Sequence, residues 1–262
     1  MRKFLTVFLI SIMLVVNTSA QSDRMWNGKK CAVVLTYDDG LDIDLDNVVT
    51  ALDSLGLKAT FYIPGNSSAL ANRLDEWRKA AAEGHELGNH TLFHPCDGNV
   101  PGRDWVTEDY DLSRYTLRRA VDEIRVTNVL LRAIDGKSER TFAYPCGDLK
   151  VGDDYFMDQL KDDFPAARGV RSGMHKINNI DIYNVDCYMI DGQTGDQMID
   201  LVKKAIASNS LLVFLFHGVG GGHNINVSLT AHSQLLHFLK QNENKIWIPT
   251  MLGAAKYIRA HQ

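Results

Sequence analysis

Two adjacent carboxylates, Asp38 and Asp39, leave an apolar run and are followed at once by Gly40. Two like charges this close resist joint ionisation in a buried position, and a metal ion is the simplest cation that would compensate them. An ordinary turn closed by Gly40 is the alternative. The pair therefore predicts either a carboxylate ligand with a second acid group beside it or a simple turn.

Two histidines, His90 and His94, follow further along the chain. On a helical turn their spacing places both imidazoles on one face, where they can reach one ion at roughly 2.0–2.1 Å. The residue after His90 is not glutamate, so this is not the His-Glu-x-x-His pattern of zinc proteases. With Asp39 as third ligand, positions remain open for water and substrate, which is typical of a catalytic metal. Surface histidines are the alternative.

Two more segments carry residues with chemical use. His217 follows the apolar run 211–216 and is the candidate general acid, with a satisfied buried histidine as the alternative. Three glycines, 220–222, then precede His223, and they either let a ligand approach the backbone or form a mobile loop. A tight turn predicted at 145–147 could present backbone amides to an oxyanion.

These residues need elements that bring them together. Short β-branched or aromatic runs predict strands at 31–37, 59–63, 141–144, 180–185 and 211–216. Helical patterns predict helices at 47–55, 70–82, 111–134 and 198–206. Alternation of this kind predicts an α/β fold with a parallel sheet, either open or closed into a barrel. In both forms the chemistry lies at the carboxyl ends of the strands, so we expect the polar residues to meet there.

The whole chain has 262 residues, of which 45% are hydrophobic and 23% charged, as in ordinary globular proteins. The formal charge is −4 with scattered basic residues, which argues against a nucleic-acid partner. Residues 1–20 have the basic start, short apolar run and small final residues of a cleavable signal peptide. We therefore expect a secreted or periplasmic protein with no stable membrane insertion after cleavage, and one domain over 21–262. No linker or repeat divides that domain.

Export would allow disulfides to persist, and four cysteines permit three full pairings. They are Cys31, Cys96, Cys146 and Cys187. A bridge between Cys96 and Cys146 would rigidify the site, whereas two buried thiols are the alternative.

Four segments in order resemble the successive motifs of the NodB-homology polysaccharide deacetylases, carbohydrate esterase family 4. They are Thr36-Tyr37-Asp38-Asp39, His90-Thr91-Leu92-Phe93-His94, Tyr144-Pro145-Cys146-Gly147 and Leu215-Phe216-His217. The resemblance covers roughly residues 31–258. It implies a single-domain distorted (β/α) barrel with fewer than eight strands, and one divalent ion, commonly zinc, with cobalt or nickel as other choices.

The resemblance also implies a role for each site residue. Asp39, His90 and His94 would be the metal ligands. Asp38 would be the base, His217 the acid, and the Cys146 amide a donor to the oxyanion. The implied reaction is hydrolysis of an N- or O-linked acetyl group on a carbohydrate polymer or oligosaccharide, by a water that the ion activates.

The chain departs from the family pattern at two places. The third motif usually has an arginine two residues before its proline, where this chain has Ala143, so Arg168 or Arg171 would have to pair with Asp38. The fourth motif usually has an Asp-Trp pair, which is absent here. Asp186 or Asp191 could then orient His217, and Tyr188 or Met189 could line the acetyl pocket.

These departures leave two other hypotheses open. One is a carbohydrate-binding pseudoenzyme of the same fold, which the missing arginine and the missing Asp-Trp pair favour. The other is an amide hydrolase for a small cyclic substrate, which a closed pocket would favour.

Overall fold

A parallel sheet forms the centre of the protein. The computed structural model describes residues 26–262, and the predicted signal peptide lies outside the described residues. The larger strands are β1 (Cys31–Asp38), β2 (Thr60–Ile63), β3 (Glu86–Asn89) and β9 (Leu211–Phe216). The two-residue strands are β4 (Phe142–Ala143), β5 (Lys150–Val151), β6 (Asp154–Tyr155), β7 (Ala167–Arg168), β8 (Tyr188–Met189), β10 (Gly218–Val219), β11 (Asn226–Val227) and β12 (Ile246–Trp247).

In the described chain, α-helices lie between five pairs of consecutive strands, and one more helix follows the last strand. They are α1 (Thr50–Ser54), α2 (Ser68–Asn72), α3 (Leu74–Ala82), α4 (Leu117–Asp135), α5 (Gly195–Ser208), α6 (Leu229–Gln241) and α7 (Met251–His261). A π-helical turn, Asp44–Val49, leads directly into α1. Within residues 26–262, no helix combines the length and the apolar character needed to span a bilayer.

The strand order of the main sheet is β7-β4-β3-β2-β1-β9-β8, with β12 also paired to β1. All these pairings are parallel. The segment that leads into β8 bonds to β7 through the backbone of Ile182 and Val185, and β8 then pairs with β9. The two edges of the sheet are thereby connected, which confirms the predicted distorted (β/α) barrel.

Strand β1 lies in the middle of the core and is buried along its whole length. Its odd-numbered residues, such as Val33 and Leu35, pack in one hydrophobic cluster with residues of α5 and α6. Its even-numbered residues, such as Ala32 and Val34, pack in a second cluster with α7. A strand with apolar neighbours on both faces reads as a continuous hydrophobic run, as 31–35 does.

Several element predictions were wrong. The predicted strand 180–185 is a turn, because the Asp181 carboxylate accepts a bond from the Tyr183 amide at 3.0 Å and the Asp181 carbonyl accepts from Asn184. Only Val185 makes an isolated bridge, to Arg168. The helix predicted from 111 begins at Leu117, where the Thr116 hydroxyl caps it.

Two other helix and strand predictions also need correction. The helix predicted at 70–82 is two helices, α2 and α3, that meet at Arg73. Strand β7 was missed because its two residues are too few to show a pattern, and β3 was missed because its sequence, ELGN, contains one large apolar residue.

Candidate metal and catalytic site

The carboxyl ends of the parallel strands bring the predicted residues to one edge of the barrel. Asp38 is the last residue of β1, and Arg168 is the last residue of β7. His90 directly follows β3, and His217 directly follows β9. The sheet therefore assembles one site from residues up to 179 positions apart in sequence, His217 and Asp38 being the extreme pair.

Asp39, His90 and His94 form a compact set of three possible metal ligands. Their ligand atoms all lie within 4.8 Å of one another. Asp39 Oδ1 is 3.4 Å from His94 Nε2 and 3.7 Å from His90 Nε2. Ligands held at roughly 2.0–2.1 Å around a tetrahedral ion are about 3.3–3.5 Å apart. The carboxylate and two imidazoles thus fit a divalent ion such as zinc.

A backbone contact prepares His90 for this role. Its Nδ1 donates to the Ala143 carbonyl at 2.8 Å, which leaves the lone pair of Nε2 free to face Asp39. Burial lowers the pKa of His90 to about 4, with Asp38 and Asp39 opposing that effect. The ring is therefore neutral at pH 7, as a metal ligand must be.

The loop that carries the two histidines is not helical, so the predicted helical turn was wrong. Thr91 and His94 both have left-handed backbone angles, with φ of 65° and 52°. The Asn89 side chain accepts from the Thr91 amide at 2.8 Å, and the Thr91 hydroxyl accepts from the His94 amide at 2.9 Å. These side chains replace helical bonds and still bring the imidazole of His94 to that of His90, with ring centroids 4.7 Å apart.

Strained backbone is concentrated at this site. Among the described residues, six that are not glycine have positive φ, and four of them lie here: Asp39, Thr91, His94 and Cys146. Conformations of this kind cost of order 1–3 kcal/mol each and persist only where surrounding contacts hold them. Favourable contacts elsewhere in the fold therefore offset the strain that the geometry of the site requires.

Asp38 is buried and paired with a buried arginine. Arg168 Nη2 donates to the two carboxylate oxygens at 2.6 and 2.5 Å. Burial by itself raises the pKa of Asp38, but the Arg168 guanidinium, with His90 and His217 nearby, brings it below its ordinary value. The ion pair with Arg168 thus keeps Asp38 ionised although the carboxylate is buried away from water.

Arg168 pairs with Asp38 in place of the arginine that the family pattern has at the position of Ala143. Ala143 and Arg168 are register partners on neighbouring strands β4 and β7, so the guanidinium arrives from the adjacent strand. Of the two arginines proposed for this role, Arg168 is therefore the correct one. Arg171 instead binds Asp186 at 2.9 Å.

His217 lies in the site without a hydrogen-bond partner at Nδ1. Its Nε2 is 4.0 Å from Asp39 Oδ2, whereas its buried Nδ1 has no partner within residues 26–262. The proposal that Asp186 or Asp191 orients it was wrong. Asp186 is held by Arg171 and His175, and Asp191 accepts from the Asn226 amide at 3.3 Å. Burial lowers the pKa of His217, and Asp38 and Asp39 oppose that effect.

A disulfide joins the two loops on either side of the site. Cys96 and Cys146 are bonded, with Cα atoms 5.8 Å apart. Cys96 follows the His94 loop, and Cys146 lies in the turn after β4, which the sequence predicted. Within the described chain Cys31 and Cys187 are buried and unbridged, so the structure contains one of the possible bridges and no full pairing.

The site opens into a cavity of about 340 Å³. Its walls include both aspartates, the three histidines named above, Cys146 and Met189, together with Trp105, Val170 and His223. Of the two residues proposed for the pocket wall, Met189 lines it and Tyr188 packs against the core instead. A second cavity of about 570 Å³ shares Asp39, His94, Trp105 and His223 with the first.

No role was predicted from the sequence for two residues that line this cavity. Trp105 is 61% exposed, and only the presence of an aromatic residue in a polar loop could have indicated a role for it. His223 was noted after the glycine run but given no role, because nothing in the sequence shows that the loop folds back on Asp39.

A model of the polysaccharide deacetylase family matches residues 27–162. The chain belongs to this family, which confirms the resemblance. A peptidoglycan-N-acetylglucosamine deacetylase of Bacillus cereus is 38% identical over 232 residues, which is 87% of this chain and 70% of that protein. Two other curated relatives, a gellan lyase of a Bacillus species and an uncharacterized protein of Bacillus subtilis, are matched over 7% and 28% of their own length.

Solved structures share the fold at low sequence identity. A chain from Mycobacterium smegmatis that is assigned to the polysaccharide deacetylases has a TM-score of 0.65 at 14% identity, over 89% of this chain and 91% of that one. A pseudoenzyme of carbohydrate esterase family 4 from Bacillus anthracis has a TM-score of 0.54 at 16% identity, over 87% and 66%. The same architecture thus exists in a chain described as inactive.

Proposed function

We propose that this protein is a metal-dependent hydrolase that removes acetyl groups from a carbohydrate polymer or oligosaccharide. The observation that carries the proposal is the grouping of Asp39, His90 and His94 within 4.8 Å, directly beside the buried Asp38–Arg168 pair. Asp39, His90 and His94 would hold a divalent ion, which would supply Lewis acidity toward an acetyl carbonyl and would lower the pKa of water towards neutral pH.

Asp38 is the proposed base. Its carboxylate is ionised because Arg168 compensates it. Asp38 Oδ2 lies 3.8 Å from His90 Nε2. Asp38 nevertheless does not belong to the group formed by Asp39, His90 and His94. Both of its oxygens accept from Arg168. A carboxylate in this position can take the proton of an attacking water, provided that the substrate places its acetyl group in the cavity.

His217 and Cys146 are the proposed partners on the substrate side. His217 lies across Asp39 from the other two histidines and would give a proton to the departing sugar nitrogen or oxygen. The Cys146 amide belongs to a turn that lines the same cavity and would donate to the oxyanion. Loss of one such donor typically costs about 2.7–4 kcal/mol of transition-state stabilisation.

An N-acetylated glucosamine polymer is the first proposed substrate, because the Bacillus cereus relative is named for that sugar and aligns over most of this chain. The two cavities share four lining residues and together form an extended groove, which favours a polymer over a small cyclic amide. We also propose export, since such polymers do not cross membranes and the Cys96–Cys146 bridge suits an oxidising compartment.

The test is acetate release by purified protein, loaded with zinc, cobalt or nickel, from chitooligosaccharides and from acetylxylan. We expect release that stops on chelation and returns with metal. Asp38→Asn should abolish turnover and keep the metal, whereas Asp39→Asn should lose the metal. Elemental analysis of both variants checks this division, and loss of metal from Asp38→Asn would show that the roles are assigned wrongly.

A carbohydrate-binding pseudoenzyme is the second candidate. The observation that favours it is the His217 ring, which lacks a hydrogen-bond partner at Nδ1 in the described part of the chain. Sugar binding without acetate release by the metal-loaded protein would support it, and metal-dependent release would exclude it.

A further inference from the structure

The glycine-rich loop between β9 and α6 delivers a fourth histidine to the site. His223 Nε2 lies 3.9 Å from Asp39 Oδ2, on the same side as His217. The rings of His217 and His223 are nearly parallel, with centroids 4.7 Å apart and planes inclined by 16°. That spacing is within the range of favourable aromatic stacking.

This loop is built to hold His223 in place. Strands β10 and β11 pair with each other, and the Asn226 side chain accepts from the Gly221 amide at 3.0 Å. A Cβ at Gly218 would lie 2.2 Å from the Gly221 carbonyl oxygen, and one at Gly222, where φ is +82°, would lie 2.8 Å from Ile43. The glycines therefore allow the loop to fold tightly against the segment that follows Asp39, which favours an ordered loop over a mobile one.

The backbone also selects the tautomer of His223. The Ile225 amide donates to His223 Nδ1 at 3.0 Å, and the Ile225 carbonyl lies further away at 3.4 Å. In the neutral ring the proton is then on Nε2, which is the reverse of the arrangement in His90. A protonated Nε2 cannot bind a metal ion, so His223 is not a fourth ligand.

His217, by contrast, has no hydrogen-bond partner to orient it among the described residues. The two candidate carboxylates, Asp186 and Asp191, are engaged elsewhere, Nδ1 has no partner in residues 26–262, and Nε2 lies 4.0 Å from Asp39 Oδ2, beyond hydrogen-bond distance. Among the described contacts of the His217 ring, the stacked His223 imidazole is the one that fixes the plane of the ring.

We propose that His223 is a positioning residue, which holds the imidazole of His217 by face-to-face stacking and so supplies the orientation that a carboxylate bonded to Nδ1 would otherwise give. The kinetic consequence of this inference depends on the proposed function. The stacking of the two rings can be tested without a measurement of turnover.

The kinetic test compares three variants on a chitooligosaccharide with zinc-loaded protein. His223→Phe keeps a flat ring and removes the N–H, whereas His223→Gln keeps an N–H and removes the ring. We expect kcat of His223→Phe within about threefold of the parent, and kcat of His223→Gln and His223→Ala lower by roughly 10–100-fold, with KM changed by less than about twofold. His237→Ala, at an exposed histidine of α6, is the matched control. Full activity of His223→Gln with a loss in His223→Phe would overturn the proposal, because it would make His223 a hydrogen-bond donor to substrate.

The structural test uses histidine-labelled, zinc-loaded protein in NMR. We expect relaxation of the His217 ring to report more motion in His223→Ala and parent-like motion in His223→Phe, and the nitrogen shifts of His223 to report a proton on Nε2. An equally rigid His217 ring in His223→Ala would overturn the proposal whatever the activity. If the parent protein releases no acetate but the ring motion behaves as expected, the proposed function fails and the stack stands.

Discussion

At the scale of single residues, the pairing of Asp38 with Arg168 decides the chemistry of the site. Both side chains are almost fully buried, at 3% and 0% exposure. A buried ion pair contributes little net stability compared with an apolar pair, but removal of one member leaves an uncompensated charge. The pair therefore serves to keep the buried Asp38 carboxylate ionised.

Replacement of Arg168 by glutamine tests this interpretation. We expect Arg168→Gln to lower the free energy of unfolding by about 3–5 kcal/mol, because Asp38 is left charged and unpaired. The measurement is urea unfolding of the chelated protein at pH 7. The double variant Asp38→Asn/Arg168→Gln should recover most of that loss, while Arg78→Gln, in an exposed pair with Asp75, should change stability by less than about 0.5 kcal/mol. Losses that simply add in the double variant would contradict the interpretation.

A buried histidine away from the site gives a pH dependence of stability. His232 on α6 bonds to the Tyr37 hydroxyl at 2.7 Å, and burial lowers its pKa from 6.5 to about 4. Between these values the unfolded chain binds more protons than the folded one. Stability is therefore complete above pH 6.5 and falls as the pH drops towards 4, by up to about 3 kcal/mol from this group.

The variant His232→Gln isolates that contribution. We expect it to be less stable than the parent at pH 7, because the bond to Tyr37 is perturbed, but to lose less stability between pH 7 and pH 5. Unfolding free energies from urea titrations at both pH values measure the difference. His237→Gln, on the same helix and exposed, should keep the parent slope. An unchanged slope in His232→Gln would show that another group carries the effect.

The residue types of the site could be predicted from sequence, but their partners could not. Asp39, His90 and His94 were recognised because the chemistry of a metal site restricts residue types strongly. The partner of Asp38 was reduced only to Arg168 or Arg171, because the choice depends on which of them is in register with Ala143. No local pattern shows the register of two-residue strands.

At the scale of elements, the Cys96–Cys146 bridge ties the His94 loop to the turn after β4. It spans 50 residues of chain. By the chain-entropy relation, a closed loop of this size is worth on the order of 4 kcal/mol, and engineered or native bridges commonly give 2–4 kcal/mol.

Reduction or the variant Cys96→Ala/Cys146→Ala should therefore lower stability by about 2–4 kcal/mol. Activity should fall further than stability explains, because His94 and the Cys146 amide lose their mutual constraint. Thermal unfolding and acetate release on the same preparation measure both effects. Cys31→Ala removes a buried, unbridged thiol and should leave the response to reductant as in the parent. If reductant has no effect on the parent, the bridge is not the constraint.

Among the elements, long periodic segments were predicted better than short ones. Helix α5 and strands β1 and β9 have enough residues for their apolar pattern to show, whereas α6, Leu229–Gln241, was not predicted. The segment 180–185 has the composition of a strand, yet the Asp181 side chain takes the backbone bonds that a strand would need. The prediction of a helical turn at His90 and His94 was also wrong. The spacing of the two histidines suits a helix, but the side chains of Asn89 and Thr91 accept backbone bonds that hold a non-helical loop.

At the scale of the whole molecule, the metal-binding residues Asp39, His90 and His94 link the loop after β1 to the loop after β3. An ion that binds only the folded state stabilises that state by mass action, by about 2.7 kcal/mol at one hundred times its dissociation constant. Zinc added to chelated protein should therefore raise the melting temperature. His94→Ala, which lacks one ligand, should show a much smaller rise, and a full rise in that variant would place the metal elsewhere. Calorimetry with and without metal provides the measurement.

The fold as a whole could be predicted because alternation of strands and helices leaves few arrangements. Alternation did not decide between an open sheet and a closed barrel, and only the family resemblance implied closure. Closure depends on the backbone of Ile182 and Val185 bonding to β7 from a segment without regular strand structure.

The delivery of the guanidinium of Arg168 from the strand beside Ala143 has a practical consequence for sorting related chains. A filter that demands arginine at one place in the third motif would discard this protein as inactive. A filter that asks instead whether any guanidinium reaches the first aspartate in three dimensions would retain it. Homologues that linear patterns classify as inactive should therefore be examined for an arginine that reaches the first aspartate from a neighbouring strand.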